Sequence, residues 1–131
     1  MLKILVTKEV PLAEAKFVED PCPFAPVVEI VFARWTSHIL WVLSEHGRLR
    51  FTELRGLLPG VTPKVLTERL RKLERDGLVT RTYHAEVPPR VEYEATALAA
   101  TLQPAFRYLT DWSARHMQEV RSAQARFDGP E

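Results

Sequence analysis

A mainly helical domain carrying one small β-hairpin is the fold class the sequence predicts, on three observations. Between Thr62 and Gly77, leucines recur at helical spacing behind a Thr-Pro start and ahead of a glycine stop. Two runs rich in β-branched and aromatic residues, 78–84 and 90–94, flank a proline-bearing tip. The last long stretch, 104–127, repeats apolar residues down one helical face.

The bulk numbers bound the answer. With 131 residues and 46% hydrophobic content, the chain can fill one core and has little left for a second. The longest mainly apolar run, Val27 to Ala33, is broken by Glu29 and is far short of the roughly 20 residues that cross a bilayer. Lys8 and Glu9 interrupt the short apolar start and no small-residue cleavage site follows, so the expected compartment is the cytoplasm. The net charge of +1 hides a division along the chain: from Arg34 to Arg90 eleven basic residues face six acidic ones, while the two ends together are acidic. A basic middle between acidic flanks suits a polyanion-binding surface on a separately charged scaffold, although solvated helices produce the same imbalance.

In chain order, residues 1–23 lack a sustained period, contain three prolines and read as an arm with one short strand at Ile4-Leu5-Val6. Pro26 suits an early helical position, and Val27, Ile30 and Val31 give a short helix to Phe32 an apolar face. Thr36 reads as the N-cap of a core helix through Ile39, Leu40 and Leu43 that stops at Gly47. Residues 48–51 alternate as a short strand, and Thr52 reads as the cap of a helix bearing Leu54, Leu57 and Leu58 that Pro59-Gly60 ends. Thr62 supplies a capping hydroxyl and Pro63 occupies the first helical position, where its missing N–H costs nothing; the helix runs to Asp76. After the hairpin, Thr96 caps a helix from Ala97 to Gln103, and Pro104 either kinks it or starts another that reaches Phe127. The domain thus spans 24–127, with a disordered tail at 128–131.

Helix, short strand, helix, tight turn, helix, hairpin, helix is the winged helix-turn-helix plan, which lays its second motif helix in the DNA major groove. Leu66, Leu70 and Leu73 mark the buried face of that helix, and Lys64, Thr67, Glu68, Arg71 and Arg75 fall on the other side. Thr62, Lys64, Thr67 and Arg71 lie toward its N-terminal half, where side chains reach base edges and free N–H groups favour phosphate. Glu68 either accepts from a cytosine amino group or, the favoured reading, pairs with Lys64 or Arg71. Arg90 beside Pro88-Pro89 is placed to reach a phosphate or the minor groove; the plainer reading pairs it with Glu86. The expected DNA-binding set is therefore Thr52, Thr62, Pro63, Lys64, Thr67, Glu68, Arg71, Arg75 and Arg90.

Several runs together resemble one family: Cys22-Pro23, Arg34-Trp35-Thr36, Arg50-Phe51-Thr-Glu-Leu54, the stretch from Leu58 to Leu73, Asp76-Gly-Leu-Val79 and Glu86-Val-Pro-Pro-Arg-Val-Glu-Tyr93. In that order they are similar to the HxlR-type transcriptional regulators, from Cys22 to about Trp112. The resemblance implies a DNA-binding homodimer with its recognition helix at Thr62–Asp76, its wing tip at Ala85–Arg90 and its interface on the terminal helices. The expected contacts there are Val27, Ile30, Val31, Phe106, Leu109, Trp112 and Val120. Phe32-Ala33 stands where relatives usually carry two glycines, Ala99 where they carry one, and Pro26 where many have arginine. Together with the long arm, this leaves dimer geometry the least determined feature.

Other chemistry finds little support. Cys22 is the only cysteine, so no intrachain disulfide forms; some relatives use a cysteine here as a redox or electrophile sensor, but Glu19 and Asp20 disfavour a thiolate. The four histidines are dispersed, without metal-ligand spacing. No glycine-rich phosphate loop or nucleophile elbow suggests an enzyme or a cofactor. The expected partners are double-stranded DNA and a second copy of the chain, with an unidentified small-molecule effector left open. The competing reading is a winged-helix module that binds another protein without DNA specificity.

Overall fold

The computed structural model describes residues 21–130; the expected strand at Ile4-Leu5-Val6 and most of the arm lie outside them. Helix α1 spans Ala25–Val31 and α2 Thr36–His46; β1 is Leu49–Arg50, and α3 is Phe51–Gly56. Helix α4, Pro63–Arg75, leads into β2, Val79–His84, and β3, Arg90–Ala95, followed by α5, Ala97–Ala100, and α6, Gln103–Phe127. The three strands form one antiparallel sheet with β3 central, so β1 pairs with the hairpin's second strand. The architecture is the winged helix-turn-helix, mainly helical with a small sheet. Among the described residues no single helix is long and apolar enough to cross a membrane.

The core gathers where α2, α3, α4 and the base of the hairpin meet. Ile39 and Leu43 from α2, Leu54 from α3, Leu66, Leu70 and Leu73 from α4, and Val79 from β2 are all essentially inaccessible to solvent. Such burial stabilises by about 1.5–3 kcal/mol per large aliphatic side chain, and it fixes α4 with one face inward and the other outward.

Thr62 and Thr96 cap their helices as expected, whereas Thr36 and Thr52 do not. Thr62 Oγ1 accepts from Val65 N at 3.2 Å, as its sequence context predicts. At the other end Gly77 adopts φ +80°, with Leu78 N donating to Leu73 O at 2.9 Å and Gly77 N to Glu74 O at 3.1 Å, which turns the chain directly into β2. Thr36, read as a cap, is instead a buried residue of α2, and the N-cap is Trp35 in the left-handed region at φ 77°. A non-glycine residue there costs about 1–3 kcal/mol, and its surroundings hold it. The Arg34 guanidinium lies 5.4 Å from the Trp35 ring centroid, the His38 ring packs at 5.2 Å, and Arg69 Nε donates to Arg34 O at 2.8 Å. A Cβ on Gly60 would sit 3.7 Å from the Trp35 ring edge, so the turn before α4 rests on that ring.

Thr52, the other expected cap, is an exposed residue inside α3. Arg50 is the N-cap, and its N–H donates to Glu53 Oε1 at 2.8 Å. Pairing of Leu49 with Tyr93 and Arg50 with Glu92 ends the strand before Phe51, and the helix begins two residues earlier than a Thr52 cap implies. Thr96 does cap α5, accepting from Ala99 N at 3.2 Å, but α5 stops at Ala100 rather than Gln103, and Pro104 sits in the first turn of a new helix.

Candidate nucleic-acid interface

The exposed side of α4 follows from its buried side. At 100° per residue, Lys64, Glu68 and Arg75 lie opposite the three leucines, while Thr67, Arg71 and Glu74 turn toward the sheet. Lys64, Thr67, Glu68, Arg71 and Arg75 are all exposed, and none makes a side-chain hydrogen bond or ion pair among the described residues. The intrahelical pair expected for Glu68 is therefore not formed. The helix's remaining cations are committed: Arg69 to the Arg34 carbonyl, and Lys72 to Asp76 at 3.5 Å. Pro63 is exposed at the first turn, and Thr62 is exposed but already serves as the cap acceptor.

The wing has the opposite character. Glu92 is its hub: His84 Nε2 lies 2.8 Å from Oε1, Arg48 Nη1 3.6 Å from Oε1, and Arg90 Nε 3.6 Å from Oε2. Burial pushes the Glu92 carboxyl up, but the His84 hydrogen bond and the nearby charges of Arg90, His84 and Arg48 outweigh it and hold the group below its ordinary value. Arg48 also reaches Glu94 at 3.1 Å, and Arg90 reaches Glu86 at 3.3 Å. Arg90 is thus paired as the plainer reading held, and paired twice.

Between α4 and the hairpin lies a cleft of about 370 Å³ lined by Thr67, Leu70, Arg71, Glu74, Arg81 and Tyr93. Arg81 and Tyr93 line this candidate site, and the sequence reading missed both. They face each other across β2 and β3, a register that the five-residue hairpin tip would have supplied. Arg81 Nε is 3.4 Å from Glu74 Oε1.

The expected dimer residues divide. Leu109 and Trp112 on α6 are 45% and 42% exposed, and Phe32 and Trp41 are 47% and 45% exposed. Phe32, Trp41, Phe106 and Leu109 line one open apolar groove. Val27 and Val120 are half-buried, while Ile30 and Phe106 pack partly on the protomer's own core. Val31 is a correction: at 1% exposure it lies inside the single chain and has no surface left for a partner. Helix α6 is 25 residues long and buries none of them. Cys22 is half-buried just before α1, and no group of three His, Cys, Asp or Glu among the described residues could hold a metal ion.

Residues 30–121 match the HxlR-like helix-turn-helix family. The HTH-type transcriptional regulator YdeP of Bacillus subtilis (strain 168) is 36% identical over 106 residues, covering 81% of this chain and 82% of that protein. Among solved structures, the HTH-type transcriptional regulator ytcD is similar at TM-score 0.71 and 36% identity, over 74% of this chain and 98% of its own. The redox regulator HypR in its reduced form is similar at TM-score 0.72 and 31% identity, over 77% and 99%. A winged helix with an uncommitted polar face on its second motif helix, matched by these relatives over most of its length, belongs to the HxlR-like helix-turn-helix family of transcriptional regulators.

Proposed function

We propose that the chain is a homodimeric, sequence-specific repressor that sets α4 in the major groove and the hairpin on the adjacent backbone or minor groove of a palindromic operator. The observation that carries this reading is the outer face of α4, where donors and one acceptor stand uncommitted in front of three buried leucines. Two copies related by a twofold axis would present two such helices to half-sites about 10 bp apart or a multiple of that. Support for the dimer comes from α6, whose apolar residues have too little of their own protomer to cover them. A bound dimer would repress by blocking polymerase.

The test is a titration of the protein with its own upstream intergenic duplex and with an unrelated duplex of equal length, at two salt concentrations. Tighter binding to the upstream duplex that weakens steeply with salt is the expected result. Replacing Lys64 and Glu68 together by Ala should flatten the preference and leave the dimer intact. Equal, salt-insensitive behaviour on both duplexes would refute the reading in favour of a protein-binding module.

A second reading, response to oxidants or electrophiles through Cys22, is favoured by the similarity to HypR, a redox regulator. Its test is whether oxidation changes DNA affinity in the native protein but not in the Cys22→Ser variant.

A further inference from the structure

The major and minor grooves of a duplex are separated by a single phosphodiester backbone. A protein that sets a helix in one groove and a hairpin against the next must therefore pass that backbone between the two elements. In this chain the space between them is the cleft lined by Thr67, Arg71, Glu74, Arg81 and Tyr93. We propose that this cleft is a built seat for one DNA backbone phosphate, held by the guanidinium groups of Arg71 and Arg81 and the hydroxyls of Thr67 and Tyr93. The inference rests on the DNA-binding reading above and assigns to that site a charge-reading function separate from base recognition.

Three features fit the seat. Arg71 comes from the helix and Arg81 from the hairpin, so a phosphate lodged between them would tie the two DNA-contacting elements together. Glu74 meets Arg81 at Nε, 3.4 Å away, and among the described residues both terminal nitrogens of Arg81 are uncommitted. A guanidinium oriented at Nε keeps its Nη donors for an anion and loses little freedom on binding. The Tyr93 hydroxyl makes no hydrogen bond among the described residues. Burial holds the phenol above its ordinary value, with Arg81 and Arg71 opposing and Glu74 assisting, which places those three charges around it and keeps it a proton-bearing donor. By contrast Arg90, the expected wing contact, is engaged by Glu86 and Glu92. The hairpin's contribution to the backbone is thereby assigned to Arg81.

A phosphate contact carries no sequence information, and this gives the seat a signature of its own. Arg81→Gln should weaken binding to the upstream duplex and to an unrelated duplex alike, by about tenfold, leaving their ratio unchanged. The slope of log affinity against log salt should become shallower by about 0.9 for the one phosphate lost. Tyr93→Phe, which removes one hydroxyl, should weaken both duplexes by about threefold with the slope kept. It serves as the second variant should Arg81→Gln lower the thermal midpoint. An unchanged affinity and slope in Arg81→Gln, or a collapse of the ratio between duplexes, would overturn the seat, the latter by making Arg81 a base reader. Wild-type protein that binds both duplexes equally, yet loses slope in Arg81→Gln, would retain the seat and refute sequence specificity. Wild-type protein that binds no duplex would refute both.

Discussion

Helices α4 and α6 are both amphipathic, yet the structure uses them in opposite ways. Helix α4 has half the length, 13 residues against 25, and buries three leucines, while α6 has no fully buried residue. The difference lies in what faces each stripe. Behind α4 stand α2, α3 and the base of the hairpin; α6 extends past the core after its first turns, so Leu109 and Trp112 meet solvent. A polar outer face on a fully anchored helix is free to meet a ligand, whereas an apolar face on an unanchored helix is incomplete without another surface. One helix is finished within the chain and the other is not.

The sharpest way to break this contrast is to attack each apolar stripe. Leu70→Ala should lower folding stability by about 2–5 kcal/mol, read in a denaturant titration, because it removes a fully buried side chain from the centre of the core. Leu109→Glu with Trp112→Glu should leave thermal stability of the protomer nearly intact. The pair should convert the proposed dimer to a monomer in sedimentation and lower affinity for the upstream duplex by about a hundredfold. A large loss of protomer stability in the second variant would mean that α6 is anchored after all. Smaller is Thr62→Ala, which removes the cap that starts α4 and should cost about 1 kcal/mol. Smallest is the pH response of the wing. Because Glu92 titrates below its ordinary value in the fold, its contribution is complete above the ordinary carboxylate pKa and is lost as pH falls through the lower folded value. The hairpin should therefore loosen on acidification below about pH 4, visible in amide exchange of 84–92, and Glu92→Gln should loosen it at neutral pH too.

What was legible in the sequence follows the range of the interactions responsible. Helix α4 was readable from end to end because Thr62, Pro63, Gly77 and the leucine spacing act within a few residues of one another. Thr52 and Thr36 misled for the converse reason. The strand that decides where α3 starts is pinned by Tyr93 and Glu92, more than forty residues away. The turn that starts α2 is held by Arg69 and Gly60, from the other side of the core. The uncommitted set on α4 was visible in outline, but not the absence of a partner for Glu68, nor Arg81 and Tyr93, which become neighbours of Arg71 only once the hairpin is laid beside the helix. Arg90 illustrates the same limit: its pairing with Glu86 is local and was readable, whereas the sharing of Glu92 among Arg90, His84 and Arg48 joins both hairpin strands to the segment entering β1.

The left-handed turn at Trp35 has a mechanical consequence. Arg34 and Trp35 stand just past the two-residue bend that ends α1, one hydrogen-bonded through its carbonyl to the middle of α4 and the other seated on the glycine turn that precedes α4. The corner acts as a bearing with two points of load and no slack loop between them. Close-packed interiors shift as units rather than deform, so a tilt imposed on α1 would be passed to α4 through this corner, and in the proposed dimer the spacing of the two α4 helices would depend in part on a single indole ring.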